Sequence, residues 1–416
     1  MECPKMAGVG QDINGNQRSA VTTRGAYIAK PTPVNGILAA ILDVPEKTNA
    51  IDTLHPQLIL ANGGTDTITE ATIRVEINGV SIGSDIQWKG RLGLKQSDTI
   101  TIGAITLKDG NNTISAYIVR LDGLNDTINL DDTIAVSTYT CTQPFTGAYS
   151  VGPGGQFGSI KEFIKKLTLC GMGGPIVLEV ASGQYSGLEL NGFKLGTDTN
   201  TLTLRSAAMN RDSVIFKDFL ALDLTESSNL IFEEITFLGS ISAVNMSGMI
   251  ENVEIRHCNL ISSYDGTRRG TVSCSNAYSS KYLKNVRFIG NNIRGHYYNM
   301  FFNYSGSSAT NMSKASVTID SNCFSGAYYA AIYAQNYNNF KSISHNTITN
   351  GSTASGFYGI YMHEYCLANR IEGNRIYLNN TSTGYGMYLY NFKSFDVTST
   401  GTIANNEIIL DRKSVV

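Results

Sequence analysis

The sequence predicts an all-β chain in two parts: a β-sandwich, then a right-handed parallel β-helix closed at its N-terminal end by one short helix. Three observations carry this. The C-terminal half repeats the phrase apolar-x-x-Asn-x-apolar at wide, unequal intervals, the segment before it alternates in short runs separated by turn residues, and a capping-box sequence stands at the junction.

The phrase is complete at 288–293, 319–324, 343–348, 371–376 and 403–408, and it recurs with another fourth residue at 232–237 and 255–260. Its fourth position falls at 235, 258, 291, 322, 346, 374 and 406, giving intervals of 23, 33, 31, 24, 28 and 32. A fixed phrase with variable filler belongs to a solenoid, whose coils repeat their core-facing residues while their loops are free to grow. Runs such as Val317-Thr318-Ile319 alternate as strands do. The Asn sits where alternation breaks, so a turn with left-handed backbone is expected there, and an inward amide stacked on its neighbours can serve the turn carbonyls. A second phrase follows, in Asn299-Met300-Phe301, Ala331-Ile332-Tyr333, Gly359-Ile360-Tyr361 and Gly386-Met387-Tyr388. Each coil thus holds at least two strands, with neighbouring coils about 4.8 Å apart.

In chain order, 11–19 (Gln11-Asp12-Ile13-Asn14-Gly15-Asn16-Gln17-Arg18-Ser19) with Gly25-Ala26-Tyr27 comes first. It resembles the closing segment of many bacterial surface β-helices, from which Asn14 and Arg24 depart. The resemblance implies that 1–30 is the remnant of a preceding β-helix. Pro31-Thr32-Pro33 makes 31–35 a stiff linker. From 36 to 141 the strand-like runs are separated by Asn62-Gly63-Gly64, Asn78-Gly79 and Asp109-Gly110-Asn111, the spacing of a β-sandwich. The stretches 56–64 and 88–92 and the acidic ending at 122–133 resemble the CARDB family, immunoglobulin-like modules of bacterial surface proteins. Trp88, the lone tryptophan, is expected to anchor that core. Asp126, Asp131 and Asp132 are candidate calcium ligands through their oxygens, beside the alternative of an exposed acidic hairpin.

The β-helix is expected over 142–410. Ser159 and Glu162 form the capping box of a helix at about 159–169, whose Ile160, Phe163, Ile164 and Leu167 share one face. The glycines before it lack the Lys-Ser/Thr pair and strand-helix-strand setting of a phosphate loop, so the helix reads as a plug on the first coil. The entry 152–185 resembles the start of the pectin-lyase-like β-helix superfamily, and the resemblance runs to Leu410. The tail 411–416 reads as non-native.

Charged residues make up 16% of the 416, the net charge is −2, and Lys and Arg form no stripe, which argues against nucleic acid. No apolar run reaches the length of a membrane span, and the N-terminus has no signal-peptide core. The seven cysteines show no metal-ligand spacing. Cys258 and Cys274 read as buried thiols, while Cys141 and Cys170 either pair or stay buried and unpaired.

Chemistry on the coils is harder to read. Relatives of the pectin-lyase-like kind include polysaccharide lyases and hydrolases, but the paired carboxylates a hydrolase needs are not evident, and Glu254, Asp320, Glu372 and Glu407 each sit alone beside a core position. His257 and His345 share the turn slot before the ladder residue and read as structural. If Ile332, Ile360 and Met387 point inward, Phe301, Tyr333, Tyr361 and Tyr388 point outward, followed two residues on by Asn303, Gln335, His363 and Tyr390. These columns could stack on sugar rings, or simply stabilise the coils. His363 with Glu364 is the acid/base candidate on this face. The sequence therefore reads as a fragment of an exported bacterial cell-surface protein, secreted or surface-held, serving adhesion, glycan binding or structure. The alternative is a lyase or hydrolase acting on an extended acidic or neutral glycan. No cofactor other than calcium is implied, and the resemblance points to export by the type IX pathway.

Overall fold

The computed structural model describes residues 2–4, 21–23, 34–49, 53–122, 132–263, 266–275, 281–306, 308–350, 356–379, 384–390 and 401–411. Asp126, Asp131, the tail 412–416 and most of 1–30 lie outside them. Of that first segment, Glu2–Pro4 and Val21–Thr23 pair antiparallel. The chain divides into two compact units, 1–142 and 143–416.

The first unit is a sandwich of two sheets. One is antiparallel, in the order Gly36–Leu42, Gln57–Asn62, Ser97–Thr101. The other is centred on Ile68–Ile77 and Gly110–Leu121, with Ile86–Leu92 and Thr133–Cys141 beside them. Alternation buries Leu58, Leu60, Ile73, Ile114, Ala116 and Leu121 between the sheets. Trp88 is buried as expected, and its indole N–H donates to Asp98 Oδ2 at 2.8 Å.

The second unit is a parallel β-helix with three strand faces per coil. The first face stacks Phe145–Val151, Met172–Val180, Leu202–Ser206, Ser228–Glu233, Ile250–Arg256, Leu283–Ile289, Val317–Asp320, Asn338–Ser344, Arg370–Glu372 and Thr402–Ala404. The other two faces belong to one sheet that forks from the long strand Thr236–Ser247. One arm runs through Asn259–Ser262, Asn292–Arg294, Cys323–Ser325, Thr347–Thr349, Arg375–Asn379 and Glu407–Asp411. The other runs through Gly270–Ser275, Tyr298–Asn303, Ala330–Gln335, Phe357–His363 and Gly384–Tyr390. Below the fork, Val214–Thr225 and the edge strand Gly183–Glu189 extend the sheet. The inward residues stack in register. Phe232, Ile255, Phe288, Ile319 and Ile343 line one face, and Phe237, Leu260, Ile293, Phe324 and Ile348 the next. All ten are essentially inaccessible, each worth roughly 1.5–3 kcal/mol of burial.

The asparagine ladder is present. Asn291, Asn322, Asn346 and Asn374 are fully buried. In each, the backbone N–H and the side-chain amide both donate to Oδ1 of the next ladder residue, at 2.8–3.1 Å. The second amide hydrogen serves a carbonyl one coil back, such as Ile319 O for Asn346 at 3.0 Å. Cys258 replaces the first ladder asparagine and receives the same support, its N–H donating to Asn291 Oδ1. The left-handed residue is not the Asn, as the sequence reading had it. It is the residue before, where His257, Ser321, His345 and Asn405 hold φ of 51–58° and glycine stands at 290 and 373. A ladder side chain must enter the core from the next position, so the reversal has to precede it. His257 and His345 are therefore turn residues.

Burial pushes the thiols of Cys258 and Cys274 up to about 12, as inert core groups. Cys141 and Cys170 are each disulfide-bonded, so neither is the unpaired thiol of the other reading. Ser159 caps the helix Ile160–Cys170 by accepting from Glu162 N–H, and the Glu162 carboxylate accepts from Gly158 N–H and pairs with Lys166 at 2.7 Å. The Lys166 bond and then the Gly158 bond hold the Glu162 carboxyl below its ordinary range. Phe163 seats the helix, its ring within 5.0–5.7 Å of Phe145, Tyr149 and Phe157. Among the described residues no helix is long and apolar enough to cross a membrane.

Candidate functional site

Strand alternation on the third face sends one side chain per coil outward at each of two heights. The first column follows the register Glu189, Asp223, Asn245, Ser273, Phe301, Tyr333, Tyr361, Tyr388. Two residues on, Ser275, Asn303, Gln335, His363 and Tyr390 form the second. Phe301, Tyr333, Tyr361, Gln335 and His363 are half-buried, while Tyr388 and Tyr390 are exposed.

The rings do not make the flat platform that a simple repeat suggests. Phe301 and Tyr333 lie nearly parallel at 5.8 Å, but Tyr333 and Tyr361, then Tyr361 and Tyr388, meet edge to face at 5.1 and 4.9 Å. The ring quadrupole favours that tilt at coil spacing. A second aromatic set missed in the sequence fills the gaps. Tyr298 stacks on Tyr333 at 4.4 Å, Tyr329 tilts against Tyr358 at 5.1 Å, and Tyr358 stacks on Tyr385 at 4.8 Å. Its signal was the Tyr-x-x-aromatic spacing of 298 with 301, 358 with 361 and 385 with 388. The result is a broad aromatic wall, exposed at Tyr385, Tyr388 and Tyr390, half-buried at Tyr333 and Tyr361, and buried at Tyr298. Burial raises the Tyr333 phenol to about 12 and lifts Tyr298 and Tyr329 further still.

Tyr333 is fixed by two neighbours. Its hydroxyl lies 3.0 Å from Gln335 Oε1 and 2.9 Å from His363 Nε2. One phenol proton cannot serve both, so it donates to Gln335 and accepts from a protonated Nε2, which fixes the neutral tautomer. Burial lowers the His363 pKa below its ordinary value, with the Glu364 charge acting weakly against it. His363 Nδ1 and Glu364 Oε2 stand 3.9 Å apart, beyond a hydrogen bond, and Glu364 occupies a turn at φ 55°.

The solitary acids of the sequence reading have partners from other coils or strand neighbours. Glu254 meets Arg256 and Arg287, Asp320 meets His345, Glu372 meets Arg370, and Glu407 meets Arg375, at 3.0–3.4 Å. Coil stacking brings Glu254 to Arg287, Asp320 to His345 and Glu407 to Arg375, whereas Arg256 and Arg370 each stand two residues from their acid on the same strand. The carboxylates that the sequence reading missed are Glu189 and Asp223, adjacent in the outward column, with Asp223 accepting from Asn245 at 2.8 Å. Asp132 is buried, and the other two calcium candidates lie outside the described residues. Among the described residues no three His, Cys, Asp or Glu side chains converge as a metal group would.

A cleft of about 420 Å³ lies beside the first strand of this face, bordered by Ser159, Lys161 and Ile164 of the cap and by Tyr185, Glu189 and Phe216 of the coils.

No protein-family model matches the chain, and no curated protein does. Among solved structures it is similar to the CARDB domain of a Pyrococcus furiosus protein in complex with di-metal ions. The identity is 14%, over 28% of this chain and 100% of that one, with a TM-score of 0.23. It is also similar to the catalytic domain of a GH87 α-1,3-glucanase in complex with nigerose, at 10% identity over 91% and 96% of the two chains, with a TM-score of 0.22. The catalytic unit of a thermostable GH87 α-1,3-glucanase from Streptomyces thermodiastaticus gives 12%, 91% and 97%, with a TM-score of 0.18. At these identities and scores, nothing about binding or catalysis transfers.

Proposed function

We propose that this chain is part of an exported surface protein whose β-helix holds an extended glycan along its third face. The observation that carries the reading is the aromatic wall: rings of Phe301, Tyr333, Tyr361 and Tyr388 repeat coil upon coil beside Gln335, His363 and Tyr390, which supply amide, imidazole and phenol groups for sugar hydroxyls. Such a wall presents apolar edges and polar tips together, the chemistry that a sugar ring offers in return. Disulfide-bonded Cys141 and Cys170 suit the oxidising surroundings of a secreted or surface-held chain. The role is adhesion or structural attachment.

The test is a glycan array with the wild type and the pair Tyr361→Ala, Tyr388→Ala, with circular dichroism as the control for folding. Binding by the wild type that falls at least tenfold in the variant supports the reading. Equal binding by both, or binding by neither, leaves the columns as coil-stacking devices. A hydrolase reading has one observation in its favour, the neighbouring Glu189 and Asp223, because glycoside hydrolysis uses two carboxylates. Product release lost in Asp223→Asn would replace adhesion with catalysis.

A further inference from the structure

The outward columns have a composition and an end. From Glu189 to Tyr388 the first column takes seven inter-coil steps of about 4.8 Å, about 34 Å in all. Its C-terminal half is aromatic, its middle is Asn245 and Ser273, and its head is the two carboxylates. The second column adds Ser275, Asn303, Gln335, His363 and Tyr390. Neither column contains a Lys or Arg. Arg268 approaches the margin, its guanidinium 5.8 Å from the centre of the Tyr297 ring, but it belongs to neither column.

The head of the column is also a boundary. Among the described residues Gly183–Glu189 pairs with Val214–Thr225 alone, which makes it the edge strand of its arm. There the first turn of the cap helix borders the cleft described above, and Glu189 belongs to both column and cleft. The cleft has apolar walls in Ile164, Phe216 and the half-buried Tyr185, whose ring lies 5.5 Å from that of Phe216. Its polar groups are the Glu189 carboxylate, Lys161 and the Ser186 hydroxyl. The Tyr185 hydroxyl is already committed to Ala181 O at 2.6 Å, and the Ser159 hydroxyl to Glu162 N–H. Apolar walls with a few convergent polar groups make a small-molecule site.

We propose that this cleft is a chain-end subsite, in which the terminal unit of an uncharged glycan lodges against the cap helix while the rest of the chain lies along the columns. The proposal rests on the glycan-binding face above and adds to it a ligand class and a stop. The class follows from charge: a uronate-rich chain would meet the Glu189 and Asp223 carboxylates with a single cleft-lining cation, Lys161, against the two, and like charges so placed cost affinity. Neutral hydroxyls, by contrast, can donate to the Glu189 carboxylate and accept from Lys161. The stop follows from the edge strand and the helix beside it, beyond which this arm has no further strand among the described residues.

The experiment measures affinities of the whole chain for short and long uncharged β-glucan and xylan oligomers and for oligogalacturonates by isothermal titration calorimetry. Three forms are compared: wild type, Glu189→Gln, and Ile164→Trp, which fills the cleft from the margin of the helix. The expected result is tighter binding of long than short neutral oligomers, a loss of about tenfold for long ones in each variant, and no binding of oligogalacturonates. If neutral oligomers bind, weaken in Tyr361→Ala with Tyr388→Ala, and are indifferent to both cleft variants, the chain-end subsite is wrong and the aromatic face stands. Oligogalacturonates binding as tightly as neutral chains overturn the ligand class. If no oligomer of either kind binds the wild type, the subsite falls together with the reading beneath it.

Discussion

At the scale of the residue, the ladder asparagines carry more hydrogen bonds than their number suggests. Asn346 accepts from Asn322 N–H and from the Asn322 amide, and donates to Ile319 O and Asn374 Oδ1. Asn346→Ala strands several of these inside a dry core, at about 1–3 kcal/mol for each unsatisfied group. The expected destabilisation is therefore at least about 3 kcal/mol, read from denaturant melts, and a value below about 1 would show that the neighbours re-pair. His363 gives a pH test. Its folded pKa is lowered, so the unfolded chain binds the extra proton first as pH falls. The contribution of this site to stability is intact above pH 6.5 and is lost as the solution is acidified through the folded value. An NMR titration should place its midpoint below 6.5, and a midpoint above that would contradict the burial argument. The buried phenols act in the opposite direction. Tyr333 holds its proton to about 12, so stability falls as pH rises beyond 10, and absorbance titration should show a late class of tyrosines.

At the scale of the element, the sequence showed the coil phrase and the cap clearly but misplaced one detail and missed another. The capping box and the buried positions of Ile160, Phe163 and Leu167 were legible because helix period and cap chemistry are local. The left-handed slot was assigned one residue late, since pattern alone cannot say whether the reversal precedes or follows an inward side chain. The columns of Tyr298, Tyr329, Tyr358 and Tyr385 were missed because rings that touch across coils are separated by 27 to 31 residues or more in the chain, and loops of unequal length hide their register. Phe163→Ala should cost about 3–5 kcal/mol by emptying the aromatic nest under the helix. Hydrogen exchange should then rise in Met172–Val180 and Gly183–Glu189 first, and a uniform rise along all coils would mean that the helix is not a local plug.

At the scale of the whole molecule, the chain divides at 142/143, and the sandwich and the β-helix on either side follow from patterns with different periods. What no single-chain pattern could supply was the pairing of charges across coils. Arg256 joins Glu233 and Glu254, and Arg287 extends the set, although the four residues span several strands. The candidate site was legible as far as its columns, because alternation within a strand is local. Its head at Glu189 and Asp223 was not, because the strand Val214–Thr225 shifts register between Asp218 and Leu220, and only the folded sheet shows which residues line up after the shift.

The ladder has a mechanical consequence. Its Oδ1 atoms accept from one side only, so that each coil is held by the side-chain oxygen of the one after it, at separations of 31, 24, 28 and 32 residues. Pulled from the C-terminus in an optical trap, such a stack should yield one coil at a time, each rupture freeing a loop of roughly 80–115 Å of contour at 3.3–3.6 Å per residue. The force trace would then be a staircase of unequal steps, in the order 32, 28, 24, 31, so that the irregular spacing of the sequence becomes a readable signature of which coil has let go.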